Sequence, residues 1–266
     1  MARIRLDQLL TDRGLAHSRA QAQALIHAGD VLLDGAATRR LKPGQLVDAD
    51  AAVLLVERPR WASRAGAKLE HALAQVGVNP SGLACLDAGA STGGFTDVLL
   101  ALGARVVYAF DVGRGQLIDR LLRDPRVVSM ERTNLRDLRE LPEPIDLATL
   151  DLSFIGLGVV LGNVRVLLAP SGRAIVLVKP QFEAGKADVP RGGVVRSVDT
   201  WQRAVYKVAG DAESVGLHPW SVIRSPVTGA DGNVEFLMDL RTQEPRDDAR
   251  AGFAEQVTEA TGPYGA

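Results

Sequence analysis

The sequence predicts an α/β fold, a mostly parallel sheet with helices on both faces, preceded by a small α+β unit. Three observations carry this expectation. From about residue 65 onward, short apolar runs alternate with segments of helical period, the pattern of strands joined by crossover helices. The last two runs, Ser221 to Ser225 and Val234 to Leu240, flank the turn-rich "PVTGADGN" and read as a hairpin, hence one antiparallel strand at the sheet edge. The stretch "ERPRWASR" sets a proline among charges after a short strand-like segment, a natural boundary between two units.

Element by element, the first unit begins with "LDQLLTDRG", which places Leu6, Leu9 and Leu10 on one helical face and stops at Gly14. Ser18 with Gln21 forms a capping box for a second helix that buries Leu25 and Ile26 and closes at Gly29. "VLLDG" is a strand into an Asp-Gly turn, and "QLVDADAAVLLVE" a further strand pair. The second unit opens with a helix (Ala65 to Val76), then a strand (Ala84 to Leu86), a glycine loop and a helix. Strand Arg105 to Phe110, helix Leu117 to Leu122 and strands Val127 to Met130 and Leu147 to Leu150 follow. Helix Leu157 to Leu168, strand Ala174 to Val178, helix Asp199 to Val215 and the hairpin complete it. The expected organisation is therefore residues 1–57, a linker at 58–62, a domain at 63–243, and a tail at 244–266 carrying a short helix around Ala249 to Ala260.

Bulk properties narrow the functional classes. The chain has 266 residues, 46% hydrophobic and 24% charged, ordinary for a globular protein. A single cysteine, Cys85, excludes an internal disulfide, and four scattered histidines lack metal-ligand spacing. The N-terminus does not read as a signal peptide, and Val159 to Val178 is interrupted by Asn163, Arg165, Pro170 and Arg173. A cytoplasmic location is expected. The net charge of −1 conceals an asymmetry. Residues 1–42 carry seven Lys/Arg against four Asp/Glu, while residues 244–266 carry two Arg against five acids. Phosphate binding requires a local basic face rather than a basic total.

The loop "DAGASTGGF" follows the first strand of the large sheet, where ligands of open α/β sheets bind. It lacks the Gly-Lys-Ser/Thr of a phosphate loop, and from Gly89 the dinucleotide pattern meets Ser91 where glycine is needed. Asp111 ends the next strand, 24 residues beyond Asp87, the place of a ribose-binding carboxylate. A nucleoside without a pyrophosphate fits, and S-adenosylmethionine has that form. Asp151 and Lys179 each follow an apolar strand, Glu235 precedes the last one, and Lys68 lies on the opening helix. All four are ionisable groups at positions a plain core would avoid.

The motifs "SRAGAKL", "CLDAGASTGGFTDVLL", "DVGRGQL", "ERTN", "DLSFI", "VKPQFE" and "GNVEF" resemble, in order, the TlyA family of ribosomal-RNA methyltransferases. Lys68, Asp151, Lys179 and Glu235 match the Lys-Asp-Lys-Glu order of the FtsJ-like enzymes. "RLDQLLTDRGLAHSRAQAQALIHAGDVLLDG" with "LKPGQLV" resembles the RNA-binding domain named after ribosomal protein S4. The resemblance implies a Rossmann-like class I methyltransferase sheet and methylation of a cytidine 2'-hydroxyl in 16S, 23S or both ribosomal RNAs. It implies S-adenosylmethionine as cofactor, with Asp87, Gly89, Ala90, Ser91, Gly93, Gly94, Asp111, Val112 and Asn134 around it. Arg3, Arg5, Arg19, Arg39, Arg40, Lys42 and Arg64 are the expected RNA contacts, and Lys179 orients the hydroxyl or takes its proton. The loop after Lys179, with Lys186, Arg191 and Arg196, would extend the basic surface. Arg114 stands where the family has Tyr, and Gly156 where Ser is common.

Beside a methyltransferase acting on a small molecule or protein, two other classes remain open at this level: an RNA-binding protein whose methyltransferase fold is vestigial, and a membrane-active protein, since relatives carry the label haemolysin. The second requires a membrane-active segment, and none is visible in the sequence.

Overall fold

A computed structural model describes residues 3–28, 31–34, 41–55, 60–185, 188–229, 231–245 and 247–262. Arg39, Arg40 and Lys186 lie outside the described residues, as does part of the expected linker. The chain divides into two compact units, Met1–Arg60 and Trp61–Ala266.

The first unit contains β1 (Arg3–Arg5), α1 (Leu6–Asp12), α2 (Arg19–Ala28), β2 (Val31–Leu33), β3 (Leu46–Asp48) and β4 (Val53–Leu55). Instead of one small sheet it has two antiparallel pairs, β1 with β3 and β2 with β4. Strand β1 was not expected, because three residues alternating Arg-Ile-Arg are too short to show a period. Leu6, Leu9, Leu10, Ala22, Ile26, Val31, Val47 and Val53 form the core. Gly14 ends the first helix region with φ 71°, and Ser18 Oγ accepts from Gln21 N at 3.2 Å. The Gln21 side chain caps one residue earlier than a capping box would, accepting from His17 N at 2.7 Å.

The second unit runs α3 (Ala65–Gln75), β5 (Ala84–Ala88), α4 (Gly94–Ala101), β6 (Val106–Asp111), α5 (Asp119–Leu122), β7 (Val127–Glu131) and β8 (Ile145–Leu150). It continues with α6 (Leu161–Leu167), β9 (Leu168–Val178), α7 (Pro180–Glu183), α8 (Val198–Glu213), β10 (His218–Arg224), β11 (Phe236–Arg241) and α9 (Asp247–Thr261). The sheet order is β10-β11-β9-β8-β5-β6-β7. Strands β5, β6, β7, β8 and β9 are parallel, whereas β11 runs antiparallel to both neighbours. The antiparallel strand expected at the edge thus lies one place inside it, with β10 outermost. Chain order alone does not say which arm of a hairpin is inserted.

Alternate strand residues serve two cores. Leu86, Phe110, Leu150, Val176 and Met238 face one layer with Val164, Val205 and Val257. Cys85, Val107, Leu147, Ile175 and Leu237 face the other with Leu69, Leu73 and Leu99. Burial pushes the Cys85 thiol up to about 12, so it is an inert core side chain. The helix expected from Leu157 begins as a 3-10 turn and becomes α6 only at Leu161. Gly158 there approaches Asp211 so closely that a Cβ would lie 2.4 Å from Oδ2. The same helix ends at Leu167, one residue earlier than expected, because Leu168 is already extended and opens β9, six residues before the expected strand start at Ala174. The tail helix α9 is part of the domain core: Phe253, Val257 and Ala260 are buried in it.

Candidate active site

In a sheet whose order reverses between β5 and β8, the strand ends leave a crevice, and the charged residues stand around it. Asp151 follows β8, Lys179 follows β9, and Glu235 precedes β11, whose first residue pairs with Val178. Lys68 arrives on α3 through small residues. A Cβ on Gly94 would lie 2.3 Å from Ser63 Oγ, and one on Gly66 2.4 Å from Trp61 Cβ. Only glycine allows the starts of α3 and α4 to approach so closely.

The four residues form two ion pairs lining one cavity of about 420 Å³. Lys68 Nζ lies 2.5 Å from Glu235 Oε2, and Lys179 Nζ 2.6 Å from Asp151 Oδ1. Lys68, Lys179 and Glu235 are buried, with Glu235 only 2% exposed. A carboxylate in that position needs a partner, and Gly229 makes room for it: a Cβ there would lie 2.6 Å from Glu235 Oε1. Lys179 also donates to Ser153 Oγ at 3.0 Å.

A second cavity of about 570 Å³ lies beside the first and shares Gly89, Ser91, Asp151, Ser153 and Phe154 with it. Asp111, Val112 and Asn134 line this second cavity, while Ala90 and Gly94 line the first. Gly89 has φ 84°, and a Cβ on it would lie 2.5 Å from the Asp151 carbonyl oxygen. The floor between the cavities is therefore bare backbone. The loop amides are spent internally: Gly89 N and Ala90 N both donate to Phe110 O at 2.9 Å, and Ser91 N donates to Asp111 Oδ2 at 2.8 Å. Gly113 N donates to Asp111 Oδ1 at 2.7 Å. A carboxylate has about four acceptor sites, so Asp111 keeps capacity for a ribose diol while it fixes the loop. This donor set and the glycine floor suit S-adenosylmethionine.

Two expected cofactor residues do not line either cavity. Gly93 adopts φ 100° under Leu117 and Leu121, where a Cβ would lie 2.2 Å from Leu121 Cδ1; its role is packing at the start of α4. Asp87 is fully buried and accepts from Thr96 Oγ1 at 2.6 Å and from Thr149 Oγ1 at 3.4 Å. It braces the loop from beneath. Burial pushes the Asp87 carboxyl up to about 7, with Asp151 adding to the rise and the Thr96 and Thr149 hydroxyls opposing it. Unfolded, the same group titrates near 3.9. Between those values the folded protein binds more protons, so this residue lowers stability as pH rises. The expected result is that Asp87→Asn gains melting temperature relative to the parent from about pH 5 to about pH 8. Parallel melting curves across that range would refute it.

Several residues at the site were not singled out from the sequence. Ser153 holds Lys179, and Phe154 stands at the junction of both cavities, 91% exposed with φ 63°. Phe182 lies 5.2 Å from the Phe154 ring and 5.8 Å from Lys179 Nζ. A large aromatic held exposed in the left-handed region is uncommon, and such strain marks functional positions. Arg64, exposed, lines the first cavity.

In the first unit the expected RNA contacts are partly organised by a buried acid. Asp7 is fully buried and accepts from Arg5 Nε at 3.0 Å, Arg19 Nη2 at 3.3 Å and Gln23 Nε2 at 3.0 Å. These donors, Arg5 first, hold its carboxyl far below the usual range. The Arg5 and Arg19 side chains stay about half exposed, at 46% and 50%. Arg3 donates to Leu46 O at 3.3 Å, and Lys42 is exposed.

The FtsJ-like methyltransferase profile matches residues 61–242, and the S4 domain profile residues 4–53. The second unit is thus an S-adenosylmethionine-dependent methyltransferase of the FtsJ-like class, and the chain carries an S4 domain before it. TlyA of Mycobacterium tuberculosis, a 16S/23S rRNA (cytidine-2'-O)-methyltransferase, is 46% identical over 97% of each chain. YqxC of Bacillus subtilis, provisionally named an rRNA methyltransferase, is 42% identical over 89% of this chain and 85% of its own. A solved Streptococcus thermophilus structure, provisionally named a haemolysin, superimposes with a TM-score of 0.72 at 37% identity, covering 98% of this chain and 96% of its own. The chain belongs to the TlyA family.

Proposed function

We propose that this chain methylates the 2'-hydroxyl of a cytidine in ribosomal RNA, in the 16S RNA, the 23S RNA or both, acting on ribosomal subunits in the cytoplasm. The observation that carries the reading is the pairing of Lys179 with Asp151 and of Lys68 with Glu235 on one cavity, beside a nucleoside-sized cavity that shares Asp151 and Gly89. S-adenosylmethionine supplies an already activated methyl group, so the protein's task is alignment and proton management.

Gly89, Asp111, Val112 and Asn134 would hold the nucleoside half of the cofactor, and Gly89 leaves the passage between the cavities open. Lys179, held by Asp151 and Ser153, has a third N–H for the ribose oxygen and fixes its approach. The Asp151 carboxylate lies beside the departing proton. Lys68 and Glu235 line the same cavity and neutralise each other there. Phe154 offers an exposed ring face at the cavity mouth, suited to a base drawn out of its stack. Arg64 lies where a flanking phosphate would pass.

The S4 unit supplies affinity through phosphate contacts. Arg5→Ala and Arg19→Ala are each expected to weaken RNA binding and to reduce the slope of log affinity against log salt by about 1. Unchanged slopes in filter-binding titrations would remove these arginines from the interface.

The deciding experiment incubates purified protein with labelled S-adenosylmethionine and separate ribosomal subunits, then maps the modified nucleotide. Label on a cytidine ribose supports the proposal; no label on either subunit refutes it. A vestigial fold would fail to bind S-adenosylmethionine by calorimetry. Among the described residues no helix is long and apolar enough to cross a membrane.

A further inference from the structure

Gln181 lines both the catalytic cavity and an adjoining pocket of about 500 Å³ bordered by Phe154, Ile155, Phe182 and Val189. Its Oε1 is buried, and no donor among the described residues reaches it. A buried acceptor left without a donor costs about 1–3 kcal/mol, so native structures seldom keep one unless the donor comes from outside. The only other such side-chain atom among the described residues is His218 Nδ1, which lines neither of these cavities.

The surroundings specify what kind of donor is missing. Gln181 sits two residues after Lys179 on α7, whose last side chain is tied to its neighbours. Glu183 at its end accepts from Leu157 N at 2.7 Å and from Lys207 Nζ at 3.0 Å. The tilted rings of Phe154 and Phe182 flank the opening, a setting for a flat heterocycle rather than a chain. With the ribose oxygen at Lys179, the attached base is the substrate group able to enter this pocket. Cytosine presents a 4-amino donor where uracil presents an acceptor oxygen.

Resting on the function proposed above, we infer that the Gln181 amide, part-exposed on the wall of both pockets, turns its Oε1 outward to accept a hydrogen bond from the 4-amino group of the target cytosine, making Gln181 a base-reading residue. The orphan acceptor is satisfied only when the right base is in place, so binding energy from the base is tied to alignment of its ribose.

The test is a double-mutant cycle between protein and RNA. Subunits are reconstituted with either cytidine or pyrimidin-2-one ribonucleoside, which lacks the 4-amine, at the mapped position. Wild-type protein is expected to lose at least about tenfold in kcat/KM on the amine-free substrate. Gln181→Leu is expected to lose a similar factor on cytidine and little more on pyrimidin-2-one. Gln181→Glu, which keeps the acceptor, is expected to retain more activity on cytidine than Gln181→Leu. S-adenosylmethionine affinity by calorimetry should be equal in all three proteins. Losses that simply multiply, or a Gln181→Leu protein as active as wild type on cytidine, would overturn the inference while leaving the methyltransferase reading intact. Failure of the wild-type protein to methylate cytidine would instead refute that reading itself.

Discussion

Lys179→Ala protein binds S-adenosylmethionine as tightly as wild type but transfers methyl groups slower by roughly 10²-fold or more, the scale of a lost alignment of the reacting atoms. Lys179 lines the cavity of the two ion pairs and not the one lined by Asp111, so the loss is expected to fall on the chemical step. Its ammonium is fixed by Asp151 at 2.6 Å and Ser153 at 3.0 Å. A shorter side chain leaves the ribose oxygen with no partner at the point of attack. Lys179→Arg keeps a positive charge but moves the nitrogens, and it is expected to recover little. Calorimetry and single-turnover methylation of ribosomal subunits measure the two quantities separately. A normal single-turnover rate in the alanine variant would end the assignment.

Lys68→Met produces the largest expected loss of stability, about 3–5 kcal/mol. Glu235, 2% exposed, is then left without its cation. The pair Lys68→Met with Glu235→Gln is expected to regain most of that stability, because a buried pair replaced as a unit costs far less than one that is broken. Methyl transfer should stay low in both proteins, since the lining of the cavity that holds Lys179 has changed in each. Urea unfolding of the single and double variants checks the prediction, and equal midpoints for wild type and Lys68→Met would contradict it.

The rim of the site was readable from the chain because of a geometric regularity. Residues that end parallel strands face one edge of the sheet, so Asp111, Asp151 and Lys179 could be placed together before any contact was known. The glycine loop was recognisable for a similar reason, since close backbone approach demands small residues in a run. Which members of that loop touch the cavity was not readable. Asp87 and Gly89 are two positions apart, yet the first lies beneath the loop against Thr96 and Thr149 while the second forms the cavity floor. Their separation depends on the backbone turning through φ 84° at Gly89, which no periodicity encodes. Ser153, Phe154, Gln181 and Phe182 follow recognised residues by two or three places, but in irregular or single-turn segments where sequence spacing does not set direction.

Local propensity and apolar patterning were enough to establish an α/β protein with a basic head, a glycine loop beside an acid at a strand end, and charged strand ends. Those features depend on neighbours within a few residues, which is the range over which backbone preference and side-chain period act. Long-range packing settled the rest: the insertion of β11 between β9 and β10, the docking of α9 into the core, and the pairing of Lys68 with a glutamate 167 positions away. Such contacts arise when burial brings distant segments together and each buried charge must find its partner, a condition satisfied only by the whole fold.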